Sequence, residues 1–280
     1  MADMGVTETS AVGQVTISQS IQMYLQEQAK LMDKVTLYTA GKGETSIKIG
    51  RAGGFTVGDK SENTSVTAQV ITYAADTLSL DQHKVIQVRL EDIANIQARP
   101  DIINDILLRM GKDMAYKLDT LIVSKLEAAS ASAPDHRIAY ANSGSADTLG
   151  KADILAARQL LQLQNVPFNE CWIGVSPASE NNLLAIDDFV HADKYGSSQG
   201  LVNGEIGRIY GARVVMSIAF NSAKTIVWHP SAVAFAMQRE LNFDNQKDLP
   251  NLAMLYSVDA LYGAVTLDSG KRQVMLGTAA

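Results

Sequence analysis

The chain is nearly without cysteine: Cys171 is the only one among 280 residues. A single cysteine can neither close an intrachain disulfide nor supply a multi-cysteine metal site, so folding needs no oxidising compartment. Long apolar runs are missing as well. No stretch approaches the ~20 residues needed to cross a bilayer, and residues 1–14 lack the basic stretch and apolar core of a secretory leader. Nor is there a surplus of positive charge, since 24 Lys and Arg stand against 30 Asp and Glu, a net charge of -6. A dedicated nucleic-acid surface normally needs a basic patch. Here the cations are dispersed and usually close to an acid, as on a solvated mixed-charge surface.

What is present is a globular composition, 46% apolar and 19% charged, with enough length for one large core or two smaller ones. Residues 1–19 are small and polar, too poor in large side chains to offset their own ordering entropy. Ser20 can cap a helix over 21–35, with Tyr24, Leu25, Leu31 and Met32 on one face. From 41 to about 80, glycines punctuate short strand-like pieces at 45–49 and 66–73. Large side chains are sparse there, so the segment reads as a long two-stranded excursion that must lie against something else.

The strongest helix signal starts at Pro100. Ile103, Ile106, Leu107, Met110, Met114, Leu118, Leu121 and Ile122 recur at helical spacing, with Asp105–Arg109 and Asp113–Lys117 as four-apart pairs on the wet side. Continued to Ala128 it would reach about 42 Å at 1.5 Å per residue, with Gly111 as its one local weakness. Residues 131–145 read as a polar linker. Helices are expected at 151–165 and 177–186 around a buried strand at 170–175. A Gly-rich loop over 187–211 and a strand at 212–218 follow. The last third alternates like strands, as in Val233, Phe235, Met237 and in Leu252, Met254, Tyr256, Val258. The fold class expected is α+β.

Chemistry finds little support. Gly174, Ser176 and Ala178 nearly spell a hydrolase elbow, yet the residue after the serine must donate its N–H to an oxyanion and Pro177 has none. Ser176 as a helix cap ahead of a proline explains the same residues. Gly41-Lys42-Gly43 lacks the spacing of a phosphate loop, and Gly204, Gly207 and Gly211 precede a strand where a dinucleotide motif precedes a helix. His83, His136, His191 and His229 have no ligand spacing. Asp244 and Asp248 lack the glycine and glutamate of a calcium loop. No catalytic, cofactor or metal residue is expected.

Taken in order, the pieces resemble the fold shared by tailed-phage shells, herpesvirus shell floors and bacterial encapsulins. The resemblance rests on Val88-Arg-Leu-Glu-Asp-Ile-Ala-Asn-Ile-Gln97 leading into the long helix, on Val166-Pro167, Trp172 and Ser176-Pro177, and on Gly204-Glu-Ile-Gly-Arg-Ile-Tyr-Gly-Ala-Arg-Val-Val215. It implies an N-terminal arm and helix (1–40), an extended loop (41–85), and a peripheral domain (86–148 and 224–280) with a spine helix at 100–128. An axial domain over 149–223 completes it. The function implied is a major capsid protein that assembles into an icosahedral head around double-stranded DNA. The resemblance further implies pentamers and hexamers, a separate scaffolding protein, a portal, no membrane, and assembly in the host cytoplasm. Subunit-interface candidates are Ile47, Ile49, Phe55, Val57 and Lys60 in the extended loop, and Asp193, Lys194, Arg208 and Tyr210 in the axial loop. Lys48 and Lys60 lie where some relatives crosslink, but no motif identifies a partner, so that chemistry is not carried over. An acidic chain also suits a wall that must confine DNA without binding it. The alternatives are an encapsulin-like compartment and, distantly, a hydrolase using Ser176.

Overall fold

A stripe of Leu107, Met110, Met114, Leu118, Ile122 and Leu126 can be buried only by a helix laid along other elements. The computed structural model has that helix unbroken over Asp101–Leu126, with all six side chains buried. It describes residues 29–63, 65–66, 68–91, 101–141, 148–184 and 207–277, with side chains in the long helix from residue 106 onward. The described elements, in chain order, are β1 (Thr36–Thr39), β2 (Ser46–Ala52), β3 (Tyr73–Ser79), β4 (Gln82–Glu91), the long helix α1, β5 (Arg137–Ile138), α2 (Lys151–Leu163), β6 (Trp172–Val175), α3 (Pro177–Leu184), β7 (Arg208–Ile209), β8 (Ala212–Met216), β9 (Lys224–Trp228), β10 (Val233–Asp248), β11 (Ala253–Thr266) and β12 (Gln273–Gly277).

Three sheets result. A four-stranded sheet runs β1-β10-β11-β4, a six-stranded sheet runs β5-β12-β9-β6-β8-β7, and β2 pairs with β3 alone. The inner face of α1 meets Phe235, Val258, Ala260 and Tyr262 of the first sheet in one cluster, which also holds Trp228 and Phe220. A second cluster joins Ile154, Ala157 and Leu161 of α2 to Ile173, Val175, Val214 and Val274 of the six-stranded sheet. Each such aliphatic side chain contributes about 1.5–3 kcal/mol on burial. Gly111 is buried inside α1 and does not interrupt it.

Several elements depart from their expected places. Of the helix expected over 21–35, residues 21–28 lie outside the described residues, and over 29–35 only a 3-10 turn, Met32–Lys34, is present. The N–H groups of Lys30 and Leu31 donate to the carboxylate of Asp119, both at 3.2 Å. Thr36–Thr39 then pairs in parallel with β10, so residues up to 40 include a strand of the main sheet. The strand expected at 66–73 forms instead at Tyr73–Ser79, in the register Ile47↔Leu78 and Ile49↔Asp76. Packing decides this: Leu78 and Leu80 bury themselves against the body, while Val66 and Val70 have nothing to cover them.

The polar stretch 131–145 is no free linker over 136–141. Arg137–Ile138 pairs in parallel with β12, His136 and Tyr140 are buried, and the Tyr140 hydroxyl donates to Thr225 Oγ1 at 3.1 Å. The loop expected to run to 211 closes earlier, because β7 and β8 form a hairpin turning at Tyr210 and Gly211. On α1, Arg109 pairs forward with Asp113 at 3.7 Å. The six-stranded sheet crosses the domain boundary expected at 223, since β9 and β12 pair directly and β9 also pairs with β6.

Candidate subunit interface

The β2–β3 hairpin is anchored at one end only. At its root Ile47 and Ile49 turn toward Leu78, Ala234 and Ala236. The chain crosses β11 at Gly263, where a Cβ would stand 2.1 Å from the Ser79 carbonyl oxygen, so only glycine lets the strands pass this closely. Beyond Ala52 the two limbs are tied by Gly53 N–H donating to the Thr72 carbonyl at 2.7 Å and by Thr56 N–H donating to Gln69 Oε1 at 3.0 Å. The Gln69 amide returns a bond to the Thr56 carbonyl. Between and beyond these ties the apolar side chains face water: Phe55 is 63% exposed, Val57 95%, Val66 72% and Val70 90%. Scattered single exposures are normal on a protein surface, but here four fall on one projecting limb.

The long β10–β11 hairpin carries a second exposed pair, Leu249 and Leu252, at its turn. A bulge lies between Met237 and Asn242. There Asp259 takes an ion pair from Arg239 Nε and a hydrogen bond with His83 Nε2, each at 3.2 Å. Asn242 donates to Asp244 at 2.6 Å, and Asn251 to Asp248 at 2.7 Å. Both acids of the discarded calcium motif are thus satisfied by amides.

Of the interface residues expected from sequence, Phe55, Val57 and Lys60 lie on the exposed limb, whereas Ile47 and Ile49 are half-buried against the chain's own body. Arg208 is exposed on β7 and Tyr210 half-buried in the following turn. Asp193 and Lys194 fall outside the described residues. Val70 falls in the excursion that the sequence already leaves without a cover of its own, whereas the exposed Leu249 carries no local signal beyond being apolar in a polar stretch.

The serine and histidines hold no nucleophilic arrangement. Ser176 is buried, its Oγ accepts the Ser179 N–H at 3.2 Å, and its hydroxyl lies 3.1 Å from Ser179 Oγ, which is a helix cap. The three described histidines are engaged elsewhere: His83 with Asp259, His136 with the Gln273 carbonyl, and His229 between Ser231 and Glu170. The last trio has a relay's composition, but the Ser231 N–H also donates to His229 Nδ1 at 3.2 Å, so the ring caps the short turn Pro230–Ala232. Among the described residues no group of three His, Cys, Asp or Glu side chains is placed to hold a metal. Burial pushes the Cys171 thiol up to about 12, with the nearby Glu170 charge adding to it. Iodoacetamide at pH 8 is therefore expected to leave Cys171 unmodified in the folded protein and to alkylate it fully in denaturant. Mass spectrometry of both samples checks this.

A family model for phage capsid proteins matches residues 9–275. The chain belongs to the phage capsid protein family. Solved shells agree in fold. The capsid of cyanophage P-SCSP1u is 17% identical with a TM-score of 0.72, over 88% of this chain and 86% of that one. Mycobacterium phage Che8 gives 22% identity and a TM-score of 0.66, over 83% and 84%. A virus-like particle from Pyrococcus furiosus gives 9% and 0.61, over 93% and 97%. No curated protein sequence matches. The capsid protein's role is thus structural, in the shell of the virion, as one copy among many identical subunits.

Proposed function

We propose that this capsid protein closes an icosahedral head around double-stranded DNA from pentamers and hexamers. Its β2–β3 hairpin would lie across a neighbouring subunit. The observation that carries this is the row of exposed apolar side chains on a limb rooted in the body at one end only. Burying a Phe or Val side chain is worth about 1.5–3 kcal/mol, but association must also offset lost translational and rotational freedom. Several such side chains per subunit, repeated around a closed shell, make the balance favourable. Domains follow the sheets in this reading: the six-stranded sheet with α2 and α3 is the axial unit, and the four-stranded sheet with α1 the peripheral one. Scaffolding and portal proteins would be separate chains, and assembly would take place in the host cytoplasm.

Phe55→Asp with Val57→Asp is expected to lower the yield of closed shells at least tenfold. The melting temperature of the dispersed subunit should move little, since exposed positions usually change stability by no more than about 0.5 kcal/mol. Electron microscopy and scanning calorimetry measure the two effects, and normal shells from the double variant would sink the proposal. A second reading, an encapsulin-like compartment, is favoured by the Pyrococcus furiosus virus-like particle, which matches over nearly the whole of both chains. A protein cargo in purified shells would support it, and DNA would support the phage head.

A further inference from the structure

Alternation along β2 and β3 puts Ile47, Ile49 and Arg51 on one face, with cross-strand partners Leu78, Asp76 and Ala74. The apolar members form a seat on Tyr38, Ala234 and Ala236, and such a seat has no directional preference. One step outward the same face becomes ionic. Arg51 pairs with Asp268, in the turn between β11 and β12, and lies 3.8 Å from Asp76 of its own hairpin. Asp76 in turn accepts the Asp268 N–H at 3.1 Å. From the body side Arg272 approaches Asp268 at 3.6 Å, while its guanidinium donates to Ser231 at 2.8 Å. Asp268 and Ser269 both have φ of 52°, a left-handed backbone that persists only where surroundings over-determine it. On the opposite face of β3 lies a cavity of about 180 Å³, lined by Thr77, Ser79, Gln82, Leu121, Lys125 and Val265.

We propose that Asp268, gripped by Arg51 of the hairpin and Arg272 of the body, is the positioning residue that sets the angle at which the hairpin leaves the subunit. The inference rests on the hairpin being the assembly limb. The apolar seat tolerates rocking and the cavity gives room for it, so direction comes from the polar ties at the root. These are the Gln238 amide on the Gly41 and Glu44 carbonyls, each at 2.8 Å, the Asp268 N–H on Asp76, and the Asp268 carboxylate between two guanidinium groups, the one tie that is ionic from both sides. A limb of ten residues each way spans up to ~30 Å, so a rotation of about 10° at the root moves the tip by about 5 Å. Phe55 and Val57, four and six residues out from Arg51, move by half as much, roughly 2–3 Å, enough to change the neighbouring surface they reach.

The test uses the full-length chain, spin-labelled at Asp59→Cys on the limb and at Lys112→Cys on α1, both exposed positions. Buried Cys171 stays unlabelled. Asp268→Asn removes the charge yet suits a left-handed backbone, because Asn adopts it readily. The interlabel distance distribution of dispersed subunits is expected to at least double in width in Asp268→Asn and in Arg51→Ala. Arg51→Lys should restore most of the parent width. Unlabelled Asp268→Asn should give shells of mixed diameter or tenfold fewer closed ones, with hydrogen-exchange protection of 107–126 unchanged. Should Arg51→Ala lose that protection, the width in Asp268→Asn decides. An unaltered width there overturns the proposal, even if uniform shells uphold the assembly reading. Broadening in a chain whose parent makes no closed shells leaves the latch standing and removes the assembly reading.

Discussion

Met110→Pro is expected to abolish soluble shells and to unfold much of the isolated subunit. Met110 lies ten positions into α1 and is buried between the helix and the four-stranded sheet. Proline there removes the N–H that bonds the Ile106 carbonyl and drives its ring into that same carbonyl, at a cost of about 3 kcal/mol or more. The lost methionine leaves a partly filled space, which adds about 2–5 kcal/mol by comparison with truncations to alanine. Domains of this kind have a total stability of roughly 5–15 kcal/mol, so the sum consumes most of it. Met110→Leu conserves volume and helix propensity and should cost less than about 1.5 kcal/mol. Circular dichroism and soluble yield, compared across the two variants, separate a helix effect from a side-chain effect. Native-like melting of Met110→Pro would mean that α1 does not organise the core.

That α1 was legible in sequence has a simple cause: its buried stripe is periodic and local, and so survives without knowledge of what covers it. The same holds for Tyr256 and Val258 on β11, where alternation alone separates wet from dry faces. The projecting hairpin was legible only as a glycine-punctuated, apolar-poor stretch. Its pairing register follows from Leu78 and Leu80 meeting Ala234 and Ala236, more than 150 positions away, and no local pattern encodes that. Residues 136–141 read as linker because the small, polar residues on either side set the composition of 131–145. Only Arg137–Ile138 pairs with β12, a strand too short for alternation to show in sequence, although Ile138 and Tyr140 turn inward. The ionic root of the hairpin was invisible for the same reason, since Arg51, Asp76, Asp268 and Arg272 come together only in the fold.

Mild acid is expected to stabilise the folded chain against unfolding, and Asp119 is the cause. Its carboxylate is 3% exposed on α1 and receives the N–H groups of Lys30 and Leu31. The same segment is wedged on its other side by Lys34, whose carbonyl accepts the Trp228 indole N–H at 3.0 Å. Burial lifts the Asp119 carboxyl to about 6, against the two N–H bonds and the charges of Lys30 and Lys34, which pull the other way. The folded chain therefore holds this proton more tightly than the unfolded chain, where the ordinary value is 3.8. Its contribution to stability is complete below 3.8 and is lost as pH rises through 6. A shift of about two pK units corresponds to about 3 kcal/mol at most. Chemical denaturation between pH 4 and 7.5 should show parent and Asp119→Asn diverging by up to that amount, the parent gaining relative to the variant as pH falls. Asp119→Ala should be weaker at every pH, because the buried Leu31 N–H loses its acceptor at about 1–3 kcal/mol and the part-buried Lys30 N–H loses its own as well. Parallel stability profiles for the parent and Asp119→Asn across that window would show that the buried carboxylate does not set this pH dependence.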